Sequence, residues 1–529
     1  MRRKFVCGVV FAAMAAFCTL VSADVKLPKT FSDNAVLQRD MPVAVWGWAD
    51  AGEEVTVTYG EASATQTADA DGKWLVKLPA MAGSFDAKAL VIKGKNEITL
   101  NNVVVGDVWV CSGQSNMEQP LNSWGQPRNA CSDEEISGDY SFVRFNRAAH
   151  IVSETPLNDV DCRGWLECKD GVQKDCTACG FHFAVRLSKE LGVPVGLIDS
   201  NWGGSNINSW IPDAGWDSLP ELIPVKEAYE KKKAESPEKA KPIFAEIEKV
   251  KADTNLSDND RNNKLRDLQN QLNSVSVTDW TRFGGMYNAM LAPWTNYAIR
   301  GAIWYQGESN ANEREFYFFK QKAMIETWRK IWNQGDFPFY WVQLANFTPA
   351  KEDPNDTGDW PGLRDGQTKC LQVANTGQAV IIDIGEEADI HPRDKFDVGN
   401  RLALWALADV FGQNLEPQSP TYRSMKIDGN KAILTFDHVG AGLVVGKKFD
   451  RTPFAVDESG KLARFAVAGD DQKWVWGNAV ITGTDTVEVT AEGIEKPVAV
   501  RYAWQMNPTG ANLYSTEGLP TTPFRTDSW

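Results

Sequence analysis

Ser115, Asp389 and His391 are the residues of this 529-residue chain whose types and settings could perform acyl transfer. A serine hydroxyl is a poor nucleophile until an adjacent base takes its proton, and four histidines are on offer: His150, His182, His391 and His438. His391 alone stands in a turn that closes a solid apolar run, where Ala379-Val380-Ile381-Ile382 leads through Asp383-Ile384-Gly385 to Asp389-Ile390-His391-Pro392. In an extended or turning segment residues two apart point to the same side. The Asp389 carboxylate can therefore reach Nδ1 of His391, hold its tautomer and stabilise the imidazolium. Ser115 follows Gly113-Gln114, where glycine permits the tight turn that leaves a hydroxyl exposed. For the oxyanion of a tetrahedral intermediate, the backbone N–H groups of Ser115 and of Gly203 or Gly204 are candidates. Gln306 is the preferred third donor and Asn310 the next. His182 falls in an amphipathic helix, His438 in a β segment and His150 in a connecting stretch, all structural or surface settings.

Bringing these residues together requires one construction used four times, an apolar strand followed at once by a polar turn. Val103–Val110 leads into Ser112-Gly113-Gln114-Ser115-Asn116-Met117, and Val193–Ile198 into Asn201-Trp202-Gly203-Gly204-Ser205. Ala302-Ile303-Trp304-Tyr305 leads into Gln306-Gly307-Glu308-Ser309-Asn310, and the fourth is the His391 segment. In an open parallel sheet such turns project from the carboxyl edge, so four distant segments can meet in one crevice.

The surrounding pattern supports this. From about 106 to 419 solid apolar strands alternate with helix-period segments, including Lys395–Phe411 with Val398, Leu402 and Trp405 on one face, which is α/β patterning with a mostly parallel sheet. Residues 24–105 alternate apolar and polar in short runs with turns such as Asp71-Gly72, a small β domain. Residues 420–529 return to strands and turns. The charge-rich stretch from about 225 to 275 reads as an inserted helical hairpin with a solvated face.

Composition excludes other classes. A length of 529 residues and a 43% hydrophobic content suit two to four domains with real cores. A formal charge of −15 without a Lys/Arg block argues against nucleic acid as partner. Residues 1–23 have the build of an export signal: Arg2-Arg3-Lys4, an apolar run too short to span a membrane, and Val21-Ser22-Ala23. Cleavage after Ala23 makes the protein periplasmic or secreted, with no stable membrane insertion. It removes Cys7 and Cys18. In an oxidising compartment the crowded Cys162, Cys168, Cys176 and Cys179 read as two disulfides rather than a zinc site, while Cys111 and Cys370 sit in apolar runs as buried thiols. No metal or organic cofactor is implied.

The blocks Trp109–Met117 (WVCSGQSNM), Gly196–Trp210 (GLIDSNWGGSNINSW), Ile303–Ala311 (IWYQGESNA) and Asp383–Ala403, with Asn512-Leu513-Tyr514, Gly518-Leu519-Pro520 and Pro523–Thr526 of the tail, carry a resemblance. The chain resembles the sialate O-acetylesterases of the SGNH (GDSL-like) hydrolase superfamily over nearly its whole length after the signal. The likeness implies a flavodoxin-like three-layer α/β hydrolase domain with flanking β-sandwich material, a Ser115–His391–Asp389 triad and Gly203 or Gly204 in the oxyanion hole. The wider superfamily places its aspartate three residues before the histidine; here the spacing is two, and Glu386 and Glu387 are the alternatives.

The function expected is removal of O-acetyl groups from a carbohydrate, sialic acid first. Trp202 would stack on a sugar ring, with Trp304 flanking the site, while Gln114, Asn206, Arg364 and Gln367 bind hydroxyls or a carboxylate. Acetylated xylan or another glycan is the rival substrate. A non-catalytic glycan-binding protein is the rival class.

Overall fold

The computed structural model describes residues 24–123 and 131–529; the expected signal over 1–23 lies outside the described residues. The leading segment forms β1 (Val36–Gln38), β2 (Val43–Trp48), β3 (Glu54–Tyr59), β4 (Ala62–Thr67), β5 (Lys73–Leu78), β6 (Ser84–Lys93) and β7 (Glu97–Gly113). Alternation along β3 and β5 buries Val55, Val57, Trp74, Val76 and Leu78, with polar residues between them facing outward. Gly72, with φ +75°, makes the turn between β4 and β5 that Asp71-Gly72 announced.

β7 changes character midway. Its first half alternates and pairs antiparallel with β6, whereas from Val103 onward every residue is buried and the strand joins a parallel sheet. That sheet continues with β8 (Tyr140–Arg147), β9 (Leu166–Cys168), β10 (Val195–Asn201), β11 (Gly301–Tyr305), β12 (Phe339–Val342) and β13 (Thr376–Ala379), in the order β13-β12-β11-β7-β10-β8-β9. Every neighbouring pair is parallel except β8–β9 at one edge. After β7 the chain builds β8, β9 and β10 on one side and then β11, β12 and β13 on the other, so the strand order reverses beside β7. At such a switch point the turns on either side diverge and leave a crevice.

Helices cover both faces of the sheet. On one side Trp109, Cys111, Leu197, Ile303, Tyr305 and Tyr340 pack under the helices Ala178–Leu191 and Lys395–Trp405, which also touch each other. On the other, Val108, Val110, Ile198, Trp304 and Trp341 pack against Tyr317, Met324 and Trp328 of the helix Arg314–Trp332. Burial on both faces is why these strands read as solid apolar runs rather than alternations. The hairpin inferred from charge density is a pair of antiparallel helices, Ile223–Ala252 and Asp258–Val275, whose polar residues are largely exposed.

Residues after 420 build small antiparallel sheets. One runs in the order Thr421–Asp428, Lys431–Asp437, Thr486–Thr490, Asn478–Ile481, another in the order Trp474–Trp476, Phe465–Ala468, Ala499–Tyr502, Phe524–Arg525. Their core takes in Val380 and Ile382 at the end of β13, and Tyr514 donates from its hydroxyl to Asp383 at 3.3 Å. The trailing segment thus braces the chain that leads to His391.

Candidate active site

Gly113 ends β7 with φ +140° and lies so close to the Tyr305 carbonyl of β11 that a side chain there would collide with it at 2.2 Å. The chain then turns into a single helical turn, Ser115–Glu118, which carries Ser115 at its first position. His391, 276 residues later, places Nε2 2.9 Å from Ser115 Oγ. Nδ1 of the same ring lies 3.4 Å from Asp389 Oδ1, and that oxygen also accepts the His391 backbone N–H at 2.9 Å. The two-residue spacing is thereby a closed turn in which one carboxylate oxygen fixes both the backbone and the ring. Glu386, by contrast, is engaged by Arg393 at 2.8 Å.

The His391 loop is tied to the serine turn from beneath. Asn116 donates from Nδ2 to the Ile390 carbonyl at 3.0 Å and to Glu308 Oε1 at 2.6 Å, and its Oδ1 accepts from Lys395 Nζ at 2.7 Å. Lys395 also donates to the Pro392 carbonyl at 2.6 Å. Burial pushes the Glu308 carboxyl up and the Lys395 ammonium down. His391 is held below its usual range, first by burial and then by the Lys395 charge, against the opposing pull of Asp389. A neutral imidazole is what a general base requires.

The other side of the serine is Trp202-Gly203-Gly204. A methyl group on Gly203 would stand 3.0 Å from Glu118 Oε2 and 3.4 Å from Ser115 Cβ, so glycine lets this backbone lie close to Ser115 without displacing either neighbour. The Gly203 N–H is, however, already given to Glu118. Ser115 and Gly204 retain backbone N–H groups without a hydrogen-bond partner among the described residues, so both remain candidates for oxyanion donors.

Several expected ligands are committed elsewhere. Gln306 is fully buried, donating to the Ser205 carbonyl and Asn310 Oδ1 and accepting from the Tyr317 hydroxyl. Asn310 gives both amide hydrogens away, to Asn206 Oδ1 at 2.8 Å and Glu313 Oε2 at 2.6 Å, so neither amide is free to bind an oxyanion. Arg364 is buried, its guanidinium spent on the carbonyls of Leu344, Ala345, Gln505 and Met506. Gln367 is buried beside it, bonded to Leu344 N–H and to the carbonyls of Gln306 and Val342. Both are struts between segments and correct the expectation that they bind substrate. Trp304 is likewise core. Asn206 is nearly buried and caps the turn at Ile207 with its side chain.

Gln114 is different. Its carbonyl oxygen accepts from the N–H groups of Gly307 and Ser309, and its amide nitrogen has no partner among the described residues. Trp202 stays at the rim, one face stacked on His150 at 4.6 Å and 8°. His150 Nε2 sits 3.3 Å from Glu118 Oε1 with its side chain 35% exposed, so it stands beside Trp202 at the rim. Asn116, Glu308 and Lys395, inside the blocks that supply Ser115, Gln306 and His391, and Glu118, one residue past the first block, are not singled out from sequence. Adjacency to those residues was their signal.

The cysteines are free thiols among the described residues. Cys162 donates to the Lys29 carbonyl and Cys179 to the Asn116 carbonyl, while Cys176 meets Cys168. The two expected bridges are therefore not present; the fold brings only Cys168 and Cys176 together. No cluster of metal-ligating side chains occurs among the described residues.

Against known proteins, residues 105–239 and 272–391 match the family described as carbohydrate esterase, sialic acid-specific acetylesterase. The sialate O-acetylesterases of Mus musculus and Homo sapiens are each 27% identical, over 98% and 93% of this chain and 97% and 91% of their own. A carbohydrate acetylesterase of known structure from Xanthomonas citri is 33% identical, with a TM-score of 0.77 over 96% of this chain and 100% of that one.

Proposed function

Since the chain belongs to the sialic acid-specific acetylesterase family of carbohydrate esterases and is a carbohydrate O-acetylesterase, we propose that Ser115, His391 and Asp389 are its catalytic triad. The observation that carries the reading is the 2.9 Å contact between His391 Nε2 and Ser115 Oγ. With Nδ1–H directed to Asp389, Nε2 accepts the serine proton as Oγ attacks the acetyl carbon. The oxyanion takes the N–H groups of Ser115 and Gly204, and Gln114 Nε2 is the side-chain donor nearest in sequence. Collapse of the tetrahedral intermediate expels the sugar alkoxide, protonated by His391. Water, deprotonated by the same ring, then attacks the acetyl-serine and releases acetate.

A parallel sheet in the order β13-β12-β11-β7-β10-β8, with the order reversing beside β7, supports a flavodoxin-like three-layer SGNH hydrolase domain over 106–419. Residues 24–105 and 420–529 are then its flanking β units. Residues 1–23 act as an export signal in this reading, and no helix among the described residues is long and apolar enough to cross a membrane.

Sialic acid is the first substrate, from the family and its animal relatives. Another O-acetylated glycan such as xylan is the second reading, favoured by the burial of Arg364, which removes the expected carboxylate ligand. Ser115→Ala is expected to abolish acetate release from both acetylated sialic acid and acetylated xylan while the circular dichroism spectrum is retained. Full activity in that variant refutes the triad, and the ratio of the two rates in the wild type ranks the substrates.

A further inference from the structure

Trp280 lies in the turn by which the chain returns from the helical hairpin to the catalytic region, and its indole is 43% exposed. This ring is exposed but not loose. Thr278 and Thr281 close the turn through a 3.1 Å bond from Thr278 N–H to Thr281 Oγ1 and a 3.0 Å bond from Thr281 N–H to the Thr278 carbonyl. The Trp280 carbonyl accepts from Asn206 N–H at 3.0 Å and Ser209 Oγ at 2.8 Å, and its indole N–H donates to the Gly203 carbonyl at 3.0 Å. Behind the turn, Phe283 is sandwiched between Trp216 at 3.8 Å and Tyr229 of the hairpin's first helix at 3.7 Å. Every polar atom of Trp280 that reaches protein therefore reaches the 203–209 segment, where a Cβ on Gly203 would stand 3.4 Å from Ser115 Cβ.

A large ring held rigidly in water exposes apolar area that a loose loop could have folded away. Its single polar group is already satisfied, so what it presents outward is an apolar face. Trp202, the aromatic neighbour favoured from sequence, meets Trp280 edge-on at 6.2 Å and 64° and has one face occupied by His150. The chemistry that fits a preorganised indole face beside an ester-cleaving serine is a pyranose ring, whose axial C–H groups form an apolar side while its hydroxyls stay in water.

We propose that Trp280 is the stacking platform for the sugar ring that carries the acetyl ester, positioned by the root of the helical hairpin. The proposal rests on the esterase reading of Ser115. The hairpin thereby acquires a role: it braces a substrate-binding residue.

The test compares wild type, Ser115→Ala, Trp280→Ala and Trp280→Phe on acetylated sialic acid, acetylated xylo-oligosaccharide and ethyl acetate, which has no ring to stack. Trp280→Ala is expected to lose about tenfold more kcat/KM on whichever sugar ester the wild type prefers than on ethyl acetate, with the excess in KM, and Trp280→Phe to recover most of it. Equal losses on sugar and simple ester would mean that Trp280 only supports the Gly203 loop and would overturn the proposal, as would a sugar-ester KM within twofold of wild type. Ser115→Ala reports separately: activity surviving in it refutes the triad whatever Trp280 does. Calorimetric binding of both acetylated sugars to Ser115→Ala, with and without Trp280→Ala, reads the platform without turnover, and identical affinities also overturn it.

Discussion

Replacing Asp389 by asparagine should cost far less than loss of a triad aspartate ordinarily does, because of where this carboxylate sits. Its nearer oxygen is 3.4 Å from His391 Nδ1, but the side chain is 52% exposed. Coulomb attraction between unit charges at that separation is about 1 kcal/mol in water and about 5 kcal/mol at an effective dielectric of 20. Half exposure puts the pair near the aqueous end, at about 1–2 kcal/mol, which predicts a loss in kcat/KM of roughly 5- to 30-fold. A buried aspartate in the same role is worth about 10⁴. Asparagine keeps an oxygen for the His391 N–H, so the loop turn survives; alanine removes that bond as well and should lose a further few-fold. Acetate release from the preferred sugar ester at pH 7.5, measured for wild type, Asp389→Asn and Asp389→Ala, checks this. A 10⁴-fold loss in the asparagine variant would refute the argument from exposure, and a loss under twofold would remove Asp389 from the triad.

His391 is depressed below its ordinary 6.5 by burial and Lys395, and only its neutral form accepts the serine proton, so the acid limb of kcat/KM should fall below pH 6.5. Asp389 pulls in the opposite direction, so Asp389→Asn should move that limb lower still; a limb above 6.5 would contradict the assignment. Asn116→Ala strands the buried Glu308 and Lys395 and should destabilise the fold by about 3 kcal/mol while loosening the His391 loop, seen as a lower unfolding temperature with reduced activity. An unfolding temperature unchanged to within about 1 °C would refute it. If the protein is exported, Cys168 and Cys176 are the pair placed to oxidise. Thiol titration of unreduced, denatured protein cleaved after Ala23 should then find five reactive groups, where two bridges would leave three.

The sequence announced Ser115, His391 and the crevice because those features are local. A strand that is buried on both faces reads as an apolar run, and the turn that follows it is written in glycine and small polar residues. What was not legible depended on partners distant in the chain. Gln306 looks like a free amide in its block, yet its bonds go to Ser205 and Tyr317. Arg364 looks like an anion ligand until the carbonyls of residues 505 and 506 arrive from the trailing β unit. The four crowded cysteines are neighbours in sequence, but only Cys168 and Cys176 meet, while Cys162 and Cys179 turn to the carbonyls of Lys29 and Asn116. Trp280 was hidden by its setting, since a charged hairpin reads as solvated surface and the turn that ends it shares that pattern.

β7 is about 55 Å long at roughly 3.3 Å per residue, and it is a single piece of backbone shared by the leading β unit and the parallel sheet. During synthesis the leading unit emerges first, and its pairing with β6 and β1 can hold β7 straight before any neighbour in the parallel sheet exists. β7 is also the first strand of that sheet to be made, and it lies in the middle, where β10 and β11 later dock on its two edges. The strand that ends at the Ser115 turn is therefore continuous with a unit that is made before the rest of its sheet. A chain shortened to begin near residue 106 would lack this scaffold and should fold slowly or aggregate, even though it retains Ser115, Asp389 and His391.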